Sequence, residues 1–138
     1  MNAAIGFIIA MLAFGLAAVG LRAAWYSRPA FRVLWSRVNP AIDQVGDQVL
    51  TRSWRLHTAV GILHIVMALV LTVLASTLGT QTAAAGARLG SLLWLGFVFP
   101  TVLAASLFSG RTVTAFLIDV LFPLVYLVCI GALVGALL

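Results

Sequence analysis

Four apolar runs, each about long enough to cross a bilayer, constrain this chain more than any other feature. A spanning helix takes about 20 apolar residues, which at 1.5 Å per residue covers a hydrocarbon core of roughly 30 Å. The runs fall at about 3–21, 56–78, 89–108 and 113–138. They leave one connection of any length, over 27–55, and two short corners. Of the 138 residues, 64% are hydrophobic and 8% are charged, and the mean hydropathy is +1.19. Soluble domains are about 45–50% apolar and about 25% charged. A water-soluble globular enzyme, a disordered chain and a disulfide scaffold are therefore excluded. The pattern predicts an all-α fold: one integral membrane domain over 1–138, built as a bundle of four transmembrane helices with one or two amphipathic interfacial helices between spans one and two.

The charges that remain are eight Arg and three Asp, with no Lys and no Glu. Arg22, Arg28, Arg32, Arg37, Arg52 and Arg55 surround the first connection, and Arg111 stands in the third; Arg88 alone stands in the second, a split of seven to one. By the positive-inside rule the amphipathic connection is cytoplasmic and both termini lie outside. The net charge of +5 then belongs to flanks that meet anionic lipid, and no nucleic-acid partner is expected. The first positive charge follows the first run instead of preceding it, so that run reads as a retained span and not as a signal peptide. The single cysteine, Cys129, offers neither an internal disulfide nor a metal pattern.

The connection is patterned. Phe31, Leu34, Trp35 and Val38 recur at helical spacing among Arg28, Arg32 and Arg37. Asn39-Pro40 breaks the series and suits a helix start, after which Ile42, Val45 and Val49 face away from Asp43, Gln44, Asp47 and Gln48. Two short amphipathic helices on the membrane surface are expected. Arg22, Trp25, Tyr26, Arg28, Arg32 and Trp35 are the expected interface anchors.

Several strings carry a family likeness. They are Trp25-Tyr26-Ser27 with Pro29, Phe31 and Trp35; Leu93-Trp94-Leu95-Gly96-Phe97-Val98 with Pro100; Phe108-Ser109-Gly110-Arg111 with Phe116-Leu117-Ile118-Asp119; and Gly131-Ala132-Leu133-Val134-Gly135. In this order they resemble the small bacterial four-span membrane family catalogued as domain-of-unknown-function family 1761. The resemblance is sharpest in the last third and around Trp25. It implies four spans in a bacterial membrane, expected to be the cytoplasmic (inner) one, and it implies no activity.

Polar residues inside the spans are the candidates for function. Asp119 stands eight residues past Arg111, about 12 Å into the membrane. An ionised Asp near the middle of a spanning helix costs about 2.5–3.5 kcal/mol, so it must be neutral, paired or facing a cavity. Pro123 lacks the N–H that the Asp119 carbonyl would accept, so a carboxyl and a backbone oxygen are presented together. His64 falls at a similar depth on span two, on one stripe with His57, Gly61 and Ala68. A His64–Asp119 proton relay and a packed interior histidine are both open. Pro100, with Thr101 beside it, breaks span three near this level and frees the Gly96 carbonyl. Gly131 and Gly135 form a small-xxx-small step that serves packing within the bundle or dimerisation, and Gly61 is a further packing position.

No pattern supports hydrolysis or group transfer. The two histidines share one helix, which argues against bis-histidine haem ligation, and no metal or cofactor is expected. The leading expectation is a non-enzymatic structural or accessory membrane subunit, with lipid and a second copy or another membrane protein as partners. The alternative is a small proton- or cation-coupled transporter or channel using Asp119 and His64.

Overall fold

A computed structural model of the chain describes residues 3–27, 30–31, 33–38 and 54–138. Every regular element among them is helical: α1 (Ala3–Trp25), α2 (Val33–Val38), α3 (Trp54–Thr77), α4 (Ala83–Ser109) and α5 (Val113–Leu137). Three helical stretches are long and apolar enough to cross a membrane, namely His57–Thr77, Ala83–Ser109 and Val113–Leu137. The apolar stretch Ile9–Trp25 of α1 is shorter. Arg28, Arg32 and the second amphipathic helix expected after Pro40 lie outside the described residues; α2 is the part of that connection seen as helix.

The order of packing is α1 on α3, α3 on α5, and α5 on α4. Met11, Phe14 and Ala18 of α1, Ala68, Leu71 and Ala75 of α3, and Tyr126, Leu127, Ile130 and Val134 of α5 form one buried cluster. Large apolar side chains such as Leu16, Val73, Phe97 and Phe108 point outward. In water they would be a liability, and in a bilayer they meet acyl chains.

Helices in lipid gain little from the hydrophobic effect on meeting, so close backbone approach has to bring them together. The α4–α5 contact does this with glycine on both sides. Gly86 and Gly90 of α4 lie against Gly131 and Gly135 of α5 so closely that a Cβ on Gly86 would fall on the Gly131 carbonyl, and one on Gly90 on the Leu127 carbonyl. The reverse holds for Gly131 against the Gly86 carbonyl and for Gly135 against that of Thr82. Gly131 and Gly135 are thus engaged within the bundle. A second small-residue crossing joins α1 to α3, where a Cβ on Gly61 would sit 3.4 Å from Val19 Cγ2.

Both corners use one device. Gly79 and Gly110 adopt left-handed φ of 65° and 64°, which closes the preceding helix without the penalty a Cβ would bring. The next residue donates back to an orphan carbonyl, Thr80 to Ala75 at 2.8 Å and Arg111 to Ser106 at 3.2 Å. A threonine then caps the following helix: Thr82 Oγ1 accepts from the Ala85 N–H at 3.2 Å, and Thr112 Oγ1 from that of Ala115 at 3.3 Å. Helix α4 accordingly starts at Ala83, earlier than the expected 89. The alanines of the apparent joint are strong helix formers behind a good cap, and Arg88 sits inside the helix.

About 21 residues of helix, roughly 30 Å of rise, separate Arg88 from the end of α4 that precedes Arg111. Arg22 and Arg111 meet at one end of the bundle, as their contacts below show.

The glycine seam generates a test. Gly86→Ala should lower stability in detergent by about 1–3 kcal/mol through overpacking. Gly20→Ala, where a new Cβ meets nothing within 4 Å, should be neutral or raise it by about 0.5–1 kcal/mol. Thermal melts of the two variants that shift alike would contradict the seam.

Candidate functional site

The polar residues of the membrane interior gather around the first half of α5. Proline 123 stands inside this helix, one turn after Asp119. Four side-chain donors reach the backbone and carboxyl just before it. Trp25 Nε1 donates to the Ile118 carbonyl at 3.0 Å, and Trp94 Nε1 to the Val120 carbonyl at 2.8 Å. Between them the Tyr26 hydroxyl donates to Asp119 Oδ1 at 2.7 Å. Asp119 Oδ2 accepts from Arg111 Nη1, also at 2.7 Å. Asp119 is therefore paired: its side chain is 19% exposed and that of Arg111 is 42% exposed.

Arg22 extends the cluster. Its guanidinium carbon lies 5.1 Å from the centre of the Tyr26 ring and 5.6 Å from that of Phe122, within cation–π range. Trp25 packs on Phe31 at 4.7 Å and edge-on to Phe122 at 6.1 Å. The residues expected to be interface anchors at the end of span one, Arg22, Trp25 and Tyr26, thus act here as ties between α1 and α5. Only the backbone of Trp35 is described, within α2.

Burial, and then the bond to Asp119, hold the Tyr26 phenol well above its ordinary value of about 10. A raised value means that the folded chain keeps the proton where the unfolded chain loses it. The stability contributed by this phenol is whole below about pH 10 and declines above it.

His64 does not join Asp119. Its Nδ1 lies 2.7 Å from the Val60 carbonyl on its own helix, and its ring stands edge-on to Tyr126 at 4.6 Å and to Phe122 at 5.8 Å. Tyr126, which the sequence reading does not single out, is 2% exposed and donates its hydroxyl to the His64 carbonyl at 2.8 Å. A tyrosine in the middle of an apolar span needs such an acceptor, and that need was the signal for it.

Pro100 acts through the backbone. With no N–H for the Gly96 carbonyl and a ring that crowds it, the helix widens into a π turn over Trp94–Val98, and the Phe99 N–H reaches back to the Trp94 carbonyl. Thr101 is exposed and gives its hydroxyl to the Phe97 carbonyl at 2.5 Å. An extra residue in a turn rotates everything after it by about 100°. The contact face that starts at Gly86 and Gly90 therefore continues through Val102, Ser106 and Ser109.

These α4 residues, with Ala105 and Thr101, line one side of a cleft of about 440 Å³ whose other side is Arg111 and Asp119. The site thus brings together Asp119, Pro123, Arg111 and Tyr26, with Thr101 at the cleft and His64 behind an aromatic layer.

Fold and site together define a helical, multi-pass type of membrane protein, in which three helices, or four with α1, are suited to spanning. The chain belongs to the family described as "Protein of unknown function (DUF1761)", whose model matches residues 9–135. No curated protein and no solved structure matches it.

The Tyr26–Asp119 bond is open to a double-mutant cycle. Tyr26→Phe, Asp119→Ala and the double variant, unfolded in mixed micelles, should give a coupling of about 1–2 kcal/mol. A coupling near zero would detach α1 from this site.

Proposed function

We propose that this chain is a non-enzymatic structural or accessory protein of the bacterial cytoplasmic membrane. Its partners are lipid and either a second copy or another membrane protein. The observation that carries the reading is the state of Asp119, with Tyr26 on one carboxylate oxygen and Arg111 on the other. An intramembrane acid held by a neutral phenol and a guanidinium serves to tie helices together. A carboxylate that carries protons or cations has to exchange such partners at each cycle. His64, the neighbour a relay needs, makes its contacts with Val60, Phe122 and Tyr126 instead.

The orientation we propose has both termini outside and the connection over 27–55 in the cytoplasm. Support comes from Arg22 and Arg111, which converge on one cluster at one end of the bundle, while Arg88 lies near the start of α4.

Two experiments test these readings. Asp119→Asn, reconstituted in proteoliposomes, should show the same proton and cation flux as the unmodified protein and should melt several degrees lower. Flux that is present in the unmodified protein and abolished in the variant would establish the transporter instead. In a Cys129→Ser background, Gln81→Cys should react with an impermeant maleimide in intact cells and Thr51→Cys only after lysis; the opposite pattern would invert the topology.

A further inference from the structure

We propose that the outward face of α4 around Leu95 and Gly96 docks a spanning helix of another membrane protein, one that brings an O–H or N–H donor to the middle of the bilayer. The inference rests on the accessory role above and deepens it by choosing between its two protein partners.

The need for a donor comes from the π turn. The Leu95 carbonyl would ordinarily accept from the Phe99 N–H, but that N–H is drawn back to Trp94. Next in line is Pro100, which has no N–H. The Gly96 carbonyl loses its ordinary partner to the same proline and keeps only the Thr101 N–H, at π spacing. Among the described residues no side chain donates to either carbonyl; the hydroxyls of Ser91 and Thr101 go to Ala87 and Phe97. Leu95 lies about 12 residues past Ala83, roughly 18 Å along the helix, where the bilayer holds no water. Leu95 is 58% exposed, and a Cβ on Gly96 would meet nothing within 4 Å, so the spot is open from outside the bundle.

Pro123 shows how this chain answers the same need. The Ile118 and Val120 carbonyls, about one turn before it, accept indole N–H groups from α1 and α4. Pro100 has no such counterpart among the described residues, and a second copy has none to lend. Near this level Trp94 and Tyr126, like Ser91 and Thr101, donate to carbonyls of their own chain, and His64 Nδ1 faces that of Val60. Cys129 is exposed, but the register of the glycine seam sets it level with Arg88, about 10 Å away. A two-fold axis along the membrane normal would bring carbonyl against carbonyl. A different protein is therefore the occupant, and Gly96 lets its helix come close.

The test is carbonyl NMR of the full chain in mixed micelles, labelled with carbonyl-13C leucine and 15N-glycine. This marks Leu78–Gly79, Leu89–Gly90 and Leu95–Gly96. The probe is a spanning leucine–alanine host peptide with one central serine, and its control has alanine there. The Leu95 carbonyl should resonate upfield of that of Leu89, which lies in the regular part of α4. The serine peptide should move it downfield and bind about three- to tenfold more tightly than the control. Pro100→Ala, which returns an N–H to the ladder, should abolish that preference. Equal affinity of the unmodified protein for both peptides, or a Leu95 carbonyl already at the position of Leu89, would overturn the site. A Leu95 shift that follows the concentration of the protein itself would overturn the choice of partner in favour of a second copy. Flux abolished by Asp119→Asn would overturn the accessory role and leave these shifts as they are, so the two readings fail separately.

Discussion

The backbone contact between α4 and α5 is what the rest of the structure depends on. In a bilayer the lipid tails are as apolar as leucine, so a helix pair forms only where its surfaces fit better than lipid fits either. Glycine at Gly86, Gly90, Gly131 and Gly135 removes every side-chain atom from the crossing and lets carbonyl oxygens of one helix approach the Cα atoms of the other. Such contacts gain dispersion and weak Cα–H···O attraction over a continuous strip. With α4 held there, the opposite face of α5 is left for α3 and α1, and Tyr126, Leu127, Ile130 and Val134 form the centre of the core.

That arrangement makes α5 the axis to which α1 must be joined. Helix α1 has the shorter apolar stretch, and its own glycine contact is with α3. Its link to α5 is polar: Trp25 on the Ile118 carbonyl, Tyr26 on Asp119, and Arg22 over Phe122, all at one level. Polar contacts between spanning helices are worth about 0.6–2 kcal/mol each, so three at one level are comparable with a good packing contact. Pro123 and Asp119 then have a common role. Where proline interrupts the donor ladder, the carbonyls around it are placed to accept from side chains of neighbouring helices.

Much of this was legible in the residues. Apolar runs of about 20 residues specify helices because a bilayer permits little else, and the importance of Asp119 follows from the cost of an acid in hydrocarbon. The strings around Trp25, Trp94 and Asp119 carried the family likeness that the model match over 9–135 bears out. The partners of these residues were not legible. Nothing in one-dimensional spacing says that Tyr26 reaches Asp119 across 93 positions, or that Phe122 and Tyr126 stand against His64. Gly86 and Gly90 make the same small-xxx-small step as Gly131 and Gly135. Their alanine-rich surroundings resemble a joint in composition; Thr82, a good cap, is the signal that a helix begins there.

Helical phase is not carried by residue spacing alone. Along α4 a regular period would carry the α5-facing stripe from Gly90 through about residues 97, 101 and 104, and Thr101 would be the polar residue turned inward. The π turn at Trp94–Val98 inserts one residue and rotates the stripe, so Thr101 lines the cleft as an exposed residue and Ser106 is the buried one. A proline in a spanning helix signals that some such adjustment occurs, but a kink, a 3₁₀ turn and a π turn each relieve the same missing N–H with a different phase. Here the relief is a π turn, with Trp94 at its start on the Val120 carbonyl and Phe99 after it against Phe116. A local defect forced by Pro100 thus decides which hydroxyls of α4 face Arg111 and Asp119, and so what chemistry the cleft presents.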